Sequence, residues 1–344
     1  KYLRFLMLLA LGLFFVIGFS GEKKILYSFS GFTMGTSYEI QFSAAPPSVD
    51  ALVIEKQTAE LLAHLDREVF STYSPSSELT ALNESPVDVL FNASSDLIEV
   101  LKLSEEIRQT TGGAFDITIS PLVNLWGFGS QSDKLIDKIP SLADIIDAKS
   151  KMGAESILIY EDRSAILKTK NIQIDLSGIA KGYAVDKIAM LLDSFALDSY
   201  FIEVGGEIKL KGFKPGYEEW VPAIETPSEG RFEIYQLLSS RGEGFSLAGS
   251  GDYRNYFEVE GVRYSHEIDP RTGYPVSHDL AAAFVISKSA AEADALATAF
   301  MILGLEESKP IIQHAGIPVF LISRVGENRF ENFVSSYFSP YLLN

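Results

Sequence analysis

The sequence predicts an α+β protein: mixed, largely antiparallel sheets with helices packed on them. Two observations lead to that class. Short segments of alternating polarity come in runs, and segments of helical periodicity fall between those runs rather than alternating strictly with single strands, which argues against a doubly wound parallel fold. The composition is globular, with 47% apolar and 22% charged residues in a chain of 344, too long for one minimal core.

In chain order, "SYEIQFS" alternates and reads as a strand. Residues 51–70 carry apolar side chains at helical spacing. Residues 95–110, "SDLIEVLKLSEEIRQT", form an amphipathic helix with Ser95 as its N-cap and the Gly112-Gly113 pair as its end. The strands "ESILIYED", "SAILKT", "IQIDL", "YFIEVGG" and "EIKLKG" follow, then "FSLAGSGD", "RNYFEVEG", "VRYSHEID" and "AAAFVIS". A last helix runs from Ser289 to Leu303. Ser289 and Glu292 make its capping box and Gly304 stops it. "PVFLIS" reads as the final strand.

The N-terminal stretch "KYLRFLMLLALGLFFVIGFSGEKK" sets a basic start, Lys1 and Arg4, before an apolar run from Phe5 to Phe19. This is the pattern of a signal peptide, or of a marginal anchor, since the run falls short of the roughly 20 residues that span a bilayer. The expected organisation is therefore an export segment over 1–24 and a folded domain over 25–344. A lipoprotein would carry cysteine after "IGFS"; Gly21 stands there, so lipidation at that site is chemically impossible. The chain has no cysteine, which excludes disulfides, thiolate metal sites and cysteine nucleophiles. A net charge of −17 disfavours nucleic acid and polybasic membrane contact. A phosphate ligand would have to be held by local donors or by a metal.

Three stretches carry chemistry. In "IDLSGIAKGYAVDKIA", residues 174–189, Asp175, Gly178, Lys181 and Gly182 stand where a strand gives way to a helix. A helix N-terminus offers amide donors to phosphate and glycine allows close approach, although a plain loop and helix start has the same composition. In "SAAEADALATAFMILG", Asp294 and Thr298 are four apart and share a helix face among alanines. That pair suits a hard cation such as magnesium, and equally a solvated Asp beside a back-bonding Thr. In "SHEIDPRTGYPV", Asp269 opens a turn with Pro270 at its second position. His266 at the strand end is a possible acid or base, and Arg271 either grips phosphate or is solvated. The four histidines, His64, His266, His278 and His314, lack zinc spacing. "IEVGGEI" places two glycines between strands.

Taken together, "MGT", "STYSPSSELTALN", "GGAFDITISPLVNLWGFG", "DLSGIAKGYAVD" and "HEIDPRTGYPV" with "EADALATA" resemble, in this order, the ApbE family of flavin transferases, which move FMN from FAD onto a protein threonine. The resemblance runs from about Gly31 to Gly304. It implies an ApbE-like fold with FAD in a cleft between lobes. Met34, Tyr73, Ala114, Phe115, Asp116, Asp175, Lys181 and Ile268 would bind FAD. Gly178, through its carbonyl, Asp294 and Thr298 would hold Mg2+. Some members carry a second acid three residues beyond Asp294; Ala297 stands here. His266 would take the threonine proton, with Asp269 orienting it. The partners implied are FAD and a threonine-bearing membrane or exported flavoprotein, at the periplasmic face of a bacterial inner membrane. A magnesium-dependent FAD pyrophosphatase would use the same residues, and a non-catalytic exported flavin-binding protein would need neither metal pair nor base.

Overall fold

The computed structural model describes residues 24–46, 49–129, 139–228, 233–252, 256–259, 262–326 and 329–343. The expected export segment lies outside them, save for Lys24. Eight strands form one sheet: β1 (Ile25–Thr33), β2 (Thr36–Ala44), β3 (Tyr200–Val204), β4 (Glu207–Lys211), β5 (Phe245–Gly251), β6 (Leu280–Ser287), β7 (Val319–Gly326) and β8 (Arg329–Val334). They lie side by side in chain order, each antiparallel to its neighbours. A separate three-stranded sheet joins Leu90–Asn92, Ala165–Lys168 and Ile157–Tyr160, again antiparallel. The α+β expectation holds, and every described pairing is antiparallel.

The central strands are covered on both faces, and the period of two sorts their side chains. On β6, Ala283 and Val285 turn to the main core, shared with the helices α6 (Ala180–Ser194) and α7 (Ala290–Ala315). Ala282 and Ile286 turn the other way, to a second core with Trp220, Leu238, Phe320 and Phe338. Long alanine-rich runs serve this arrangement, because small side chains let α7 lie close on β5 and β6. A third cluster joins Leu122 and Trp126 of residues 112–129 to Ile145 and Ile268.

Four sequence expectations change. The helix Ser95–Thr110 is capped by Ser94, whose hydroxyl accepts the Leu97 N–H at 3.2 Å; Ser95 is already helical. Gly304 does not end the last helix but breaks it: its φ of 71° and ψ of 179° interrupt the coil, which resumes and runs through Pro310 to Ala315. The expected capping box is half built. Ser289 accepts the Glu292 N–H, while the Glu292 carboxylate takes the Ser287 hydroxyl instead. "IQIDL" is not a strand, because a side chain replaces the ladder. Asn83 accepts the Ile174 N–H at 2.8 Å and donates to the Ile174 carbonyl at 2.9 Å, and the Asp175 N–H goes to the Ile117 carbonyl. The edge strands of the sheet, β1 and β8, are more exposed than its centre: β1 alternates between exposed and half-buried positions, whereas β6 is buried or half-buried throughout.

Candidate active site

A cavity of about 750 Å³ opens where residues 112–129, the loop before α6, the first half of α7 and the segment 266–270 converge. Most ligand pockets fall between about 300 and 1,000 Å³. Eleven of the thirteen residues singled out in the sequence line it: Tyr73, Ala114, Phe115, Asp116, Asp175, Gly178, Lys181, His266, Ile268, Asp294 and Thr298.

Two helices clasp each other to build its floor. Gly182 on α6 sits so close to α7 that an added Cβ would lie 2.3 Å from the Ala290 carbonyl oxygen, so only glycine fits. The Gly182 N–H donates to Asp294 Oδ2 at 3.1 Å. In return Asp186 of α6 accepts the Ala291 N–H and the Ser289 hydroxyl, at 3.1 and 2.8 Å. Each helix start is thus met by a carboxylate from the other, where the backbone carries partial positive charge. Asp294 is buried and held in place by this clasp. Thr298, one turn on, faces the same loop: a Cβ on Gly178 would stand 3.5 Å from its hydroxyl oxygen and 3.2 Å from the Phe115 ring.

The charge balance at the floor adds a residue that sequence reasoning missed. Lys181 Nζ donates to Glu207 Oε1 at 3.0 Å and lies 3.7 Å from Asp294 Oδ2. Burial works against the ammonium, but the Asp294 and Glu207 carboxylates outweigh it and hold Lys181 above the ordinary lysine range. Burial, then the charge of Asp294, pushes the Glu207 carboxyl up, with Lys181 opposing. Glu207 is 3% exposed, lines the cavity, and leaves Oε2 without a hydrogen-bond partner. Its signal in the sequence is the "VGGE" turn.

The walls differ in character. Tyr73 is 80% exposed at the rim, an aromatic face open to a planar ligand. Phe115 and Ile268 are buried and apolar. Burial raises the Asp116 carboxyl, against hydrogen bonds from the Thr118 N–H and hydroxyl at 2.7 and 2.6 Å and the attraction of Arg108. Asp175 Oδ1 accepts the Ser177 N–H at 2.8 Å and so shapes the loop. The His266 ring stands edge-on to Phe128, with centroids 6.2 Å apart, and its Nε2 lies 3.6 Å from Glu267 Oε1.

Two expected residues stand elsewhere. Met34 is not among the lining residues. With Gly35 it makes the two-residue turn between β1 and β2, both at positive φ, and its N–H donates to Asp66 at 3.1 Å. Asp269 is turned to Arg271: its oxygens take the Arg271 backbone N–H, Nε and Nη2 at 2.8, 3.0 and 2.9 Å. Arg271 also binds Glu307 at 2.7 Å, so it is a structural clamp rather than a phosphate grip. Glu267 is a carboxylate beside the histidine, 3.6 Å from its Nε2.

The donors fit a hard cation. The Asp294 carboxylate, the Thr298 hydroxyl and the Gly178 carbonyl are oxygens, and only one is charged. No group of three or more His, Cys, Asp or Glu able to hold a metal occurs among the described residues. Such a cation would therefore complete its shell with water or ligand oxygens.

Residues 34–321 match the ApbE family model. The chain is 36% identical to a FAD:protein FMN transferase of Vibrio cholerae, over 91% of this chain and 92% of that one. It is 33% identical to the enzyme of the same name from Escherichia coli K12, over 91% and 88%. The solved structure of the flavin transferase ApbE from Vibrio cholerae superposes with a TM-score of 0.82 at 34% identity, covering 93% of this chain and all of that one. The apo flavinyl transferase ApbE of Pseudomonas stutzeri gives 0.84 at 33%, covering 94% and 98%. With fold, motif order and cavity in agreement, the chain belongs to the ApbE family.

Proposed function

We propose that this chain transfers FMN from FAD to a threonine hydroxyl of a partner flavoprotein and releases AMP, with Mg2+ as its cation. The observation that carries the reading is the single cavity gathering Tyr73, Phe115, Asp175, Lys181, His266, Asp294 and Thr298 from five separated stretches of chain. The names of the relatives support the same chemistry.

In this reading the threonine oxygen attacks the phosphorus of the FMN half. The new P–O bond forms as the pyrophosphate P–O bond breaks, and AMP leaves with the bonding pair. Such a reaction depends on positioning and charge neutralisation more than on covalent help. Tyr73 offers its open face to a flavin or adenine ring, and Phe115 and Ile268 exclude water. Asp116 and Asp175 accept from N–H or O–H donors of the nucleotide. Lys181 meets phosphate charge, which an acidic chain must neutralise locally. His266 takes the threonine proton as it leaves. Mg2+, held by Asp294, Thr298 and the Gly178 carbonyl, would supply further neutralisation of the pyrophosphate.

The test is mass spectrometry of a threonine-bearing exported flavoprotein incubated with this chain, FAD and Mg2+. An FMN adduct on threonine is expected, with AMP in equal amount. Free FMN and AMP with no adduct would make the chain a pyrophosphatase instead. The basic and then apolar residues 1–19 support a site of action at the periplasmic face of a membrane. Fractionation that found the uncleaved chain free in the cytoplasm would count against that placement.

A further inference from the structure

The "VGGE" turn between β3 and β4 has no part in the proposed chemistry, yet it is built around Lys181. Gly205, at φ 64°, brings its backbone against the lysine stem: a Cβ there would lie 3.1 Å from Lys181 Cδ and 2.8 Å from Thr36 Cγ2. Its N–H is fixed to the Ser37 carbonyl at 3.0 Å. Two residues on, Glu207 receives the ammonium at 3.0 Å, closer than the 3.7 Å to Asp294. Glu207 is buried and its other oxygen is unpartnered, so Lys181 is the cation that meets its charge.

We propose that Glu207 is a positioning residue: it draws the Lys181 ammonium off Asp294 and so leaves Asp294 free for the cation. The inference rests on the reading of Asp294 as a metal ligand. A lysine and a divalent cation cannot share one carboxylate cheaply, because their charges repel at contact distance. With Glu207 in place, Lys181 has its own counter-ion and stays aimed at the ligand cavity. Without the Glu207 charge, Asp294 becomes the nearest carboxylate for Lys181, and the lysine becomes a competitor of the metal.

The test is Mn2+ binding to the full chain without nucleotide, read by electron paramagnetic resonance of free Mn2+. Glu207→Gln keeps size and shape and should weaken Mn2+ binding roughly tenfold. Lys181→Gln should bind Mn2+ more tightly than the wild type. The deciding comparison is the double variant: in the Lys181→Gln background, Glu207→Gln should change affinity little, because Glu207 acts through Lys181. An equal loss in both backgrounds would overturn the inference and make Glu207 a ligand or a simple through-space charge. Unchanged affinity in Glu207→Gln would also overturn it. Asp294→Ala separates the two levels. If that variant binds Mn2+ as the wild type does, the metal reading fails and this inference falls with it. If it loses binding while Glu207→Gln does not, only this inference fails.

Discussion

Arg271 and Lys181 each stand between two acids, and they do opposite things. Arg271 lies between Asp269 and Glu307, with hydrogen bonds of 2.9 and 2.7 Å. Lys181 lies between Glu207 and Asp294, at 3.0 and 3.7 Å. The Arg271 group sits on a turn whose partners are all engaged; even its backbone carbonyl takes Lys149 Nζ at 2.5 Å. The Lys181 group sits at the floor of a cavity, with one carboxylate oxygen unpartnered and one contact too long for a hydrogen bond. Residue types do not separate the two. What separates them is whether the charges satisfy one another: a closed set of partners holds a turn, whereas an open set keeps binding capacity for something that arrives.

The largest effects should come from the open side. His266→Ala should lower the transfer rate by roughly 10²–10⁴-fold with little change in FAD affinity. If the variant binds FAD poorly but transfers normally at saturation, the histidine is a binding residue and Glu267 becomes the candidate base. Asp294→Ala should cost roughly 10²–10³-fold in turnover, while Thr298→Val, which removes a neutral oxygen, should cost less. Magnesium-dependent AMP release at the wild-type rate by Asp294→Ala would remove the metal from this site.

The closed side should respond in stability instead. Asp269→Asn removes a charge that the guanidinium grips through two nitrogens, and should cost about 1–2 kcal/mol of unfolding free energy. Activity should stay within a few-fold. Urea unfolding and a saturated rate assay on the same preparation check both halves. A large rate loss without a stability loss would return Asp269 to the reaction and erase the contrast.

How far the sequence could go follows from the same contrast. The Asp294–Thr298 spacing is legible because a helix fixes which residues share a face, and the structure puts both on the cavity. The turn 269–273 is legible because Pro and Gly have few conformations to offer; Gly273 indeed lies at φ 86°. The roles of Asp269 and Met34 are not legible, since each depends on a partner set by tertiary packing: Arg271 for one, a tight hairpin turn for the other. Glu207 escaped for a related reason. A strand start after two glycines is an ordinary sequence, and only the approach of Lys181 from 26 residues away makes it part of a site. The irregular run of 172–176 alternates apolar and polar residues as a strand does, but Asn83 supplies the backbone partners that a neighbouring strand would have supplied.

The smallest effect sharpens the comparison most, because its sign should reverse. Asp116 lines the cavity, and burial raises its carboxyl above the unfolded value despite Thr118 and Arg108. The native state therefore binds the proton more tightly than the unfolded chain. Stability from this group is fully present below the ordinary carboxylate range, and it is lost as pH rises through the raised native value. Asp116→Asn removes that loss and keeps an amide oxygen for the Thr118 N–H and hydroxyl. The variant should therefore match the wild type in acid and become more stable than it toward neutral pH, while binding FAD less well. At neutral pH Asp269→Asn should destabilise and Asp116→Asn should stabilise, because one carboxylate is satisfied by a guanidinium and the other is penalised by burial. Thermal unfolding of both variants at an acid and a neutral pH measures this. If Asp116→Asn is no more stable than the wild type at neutral pH, its hydrogen bonds already offset the cost of burial, and Asp116 belongs with the closed set.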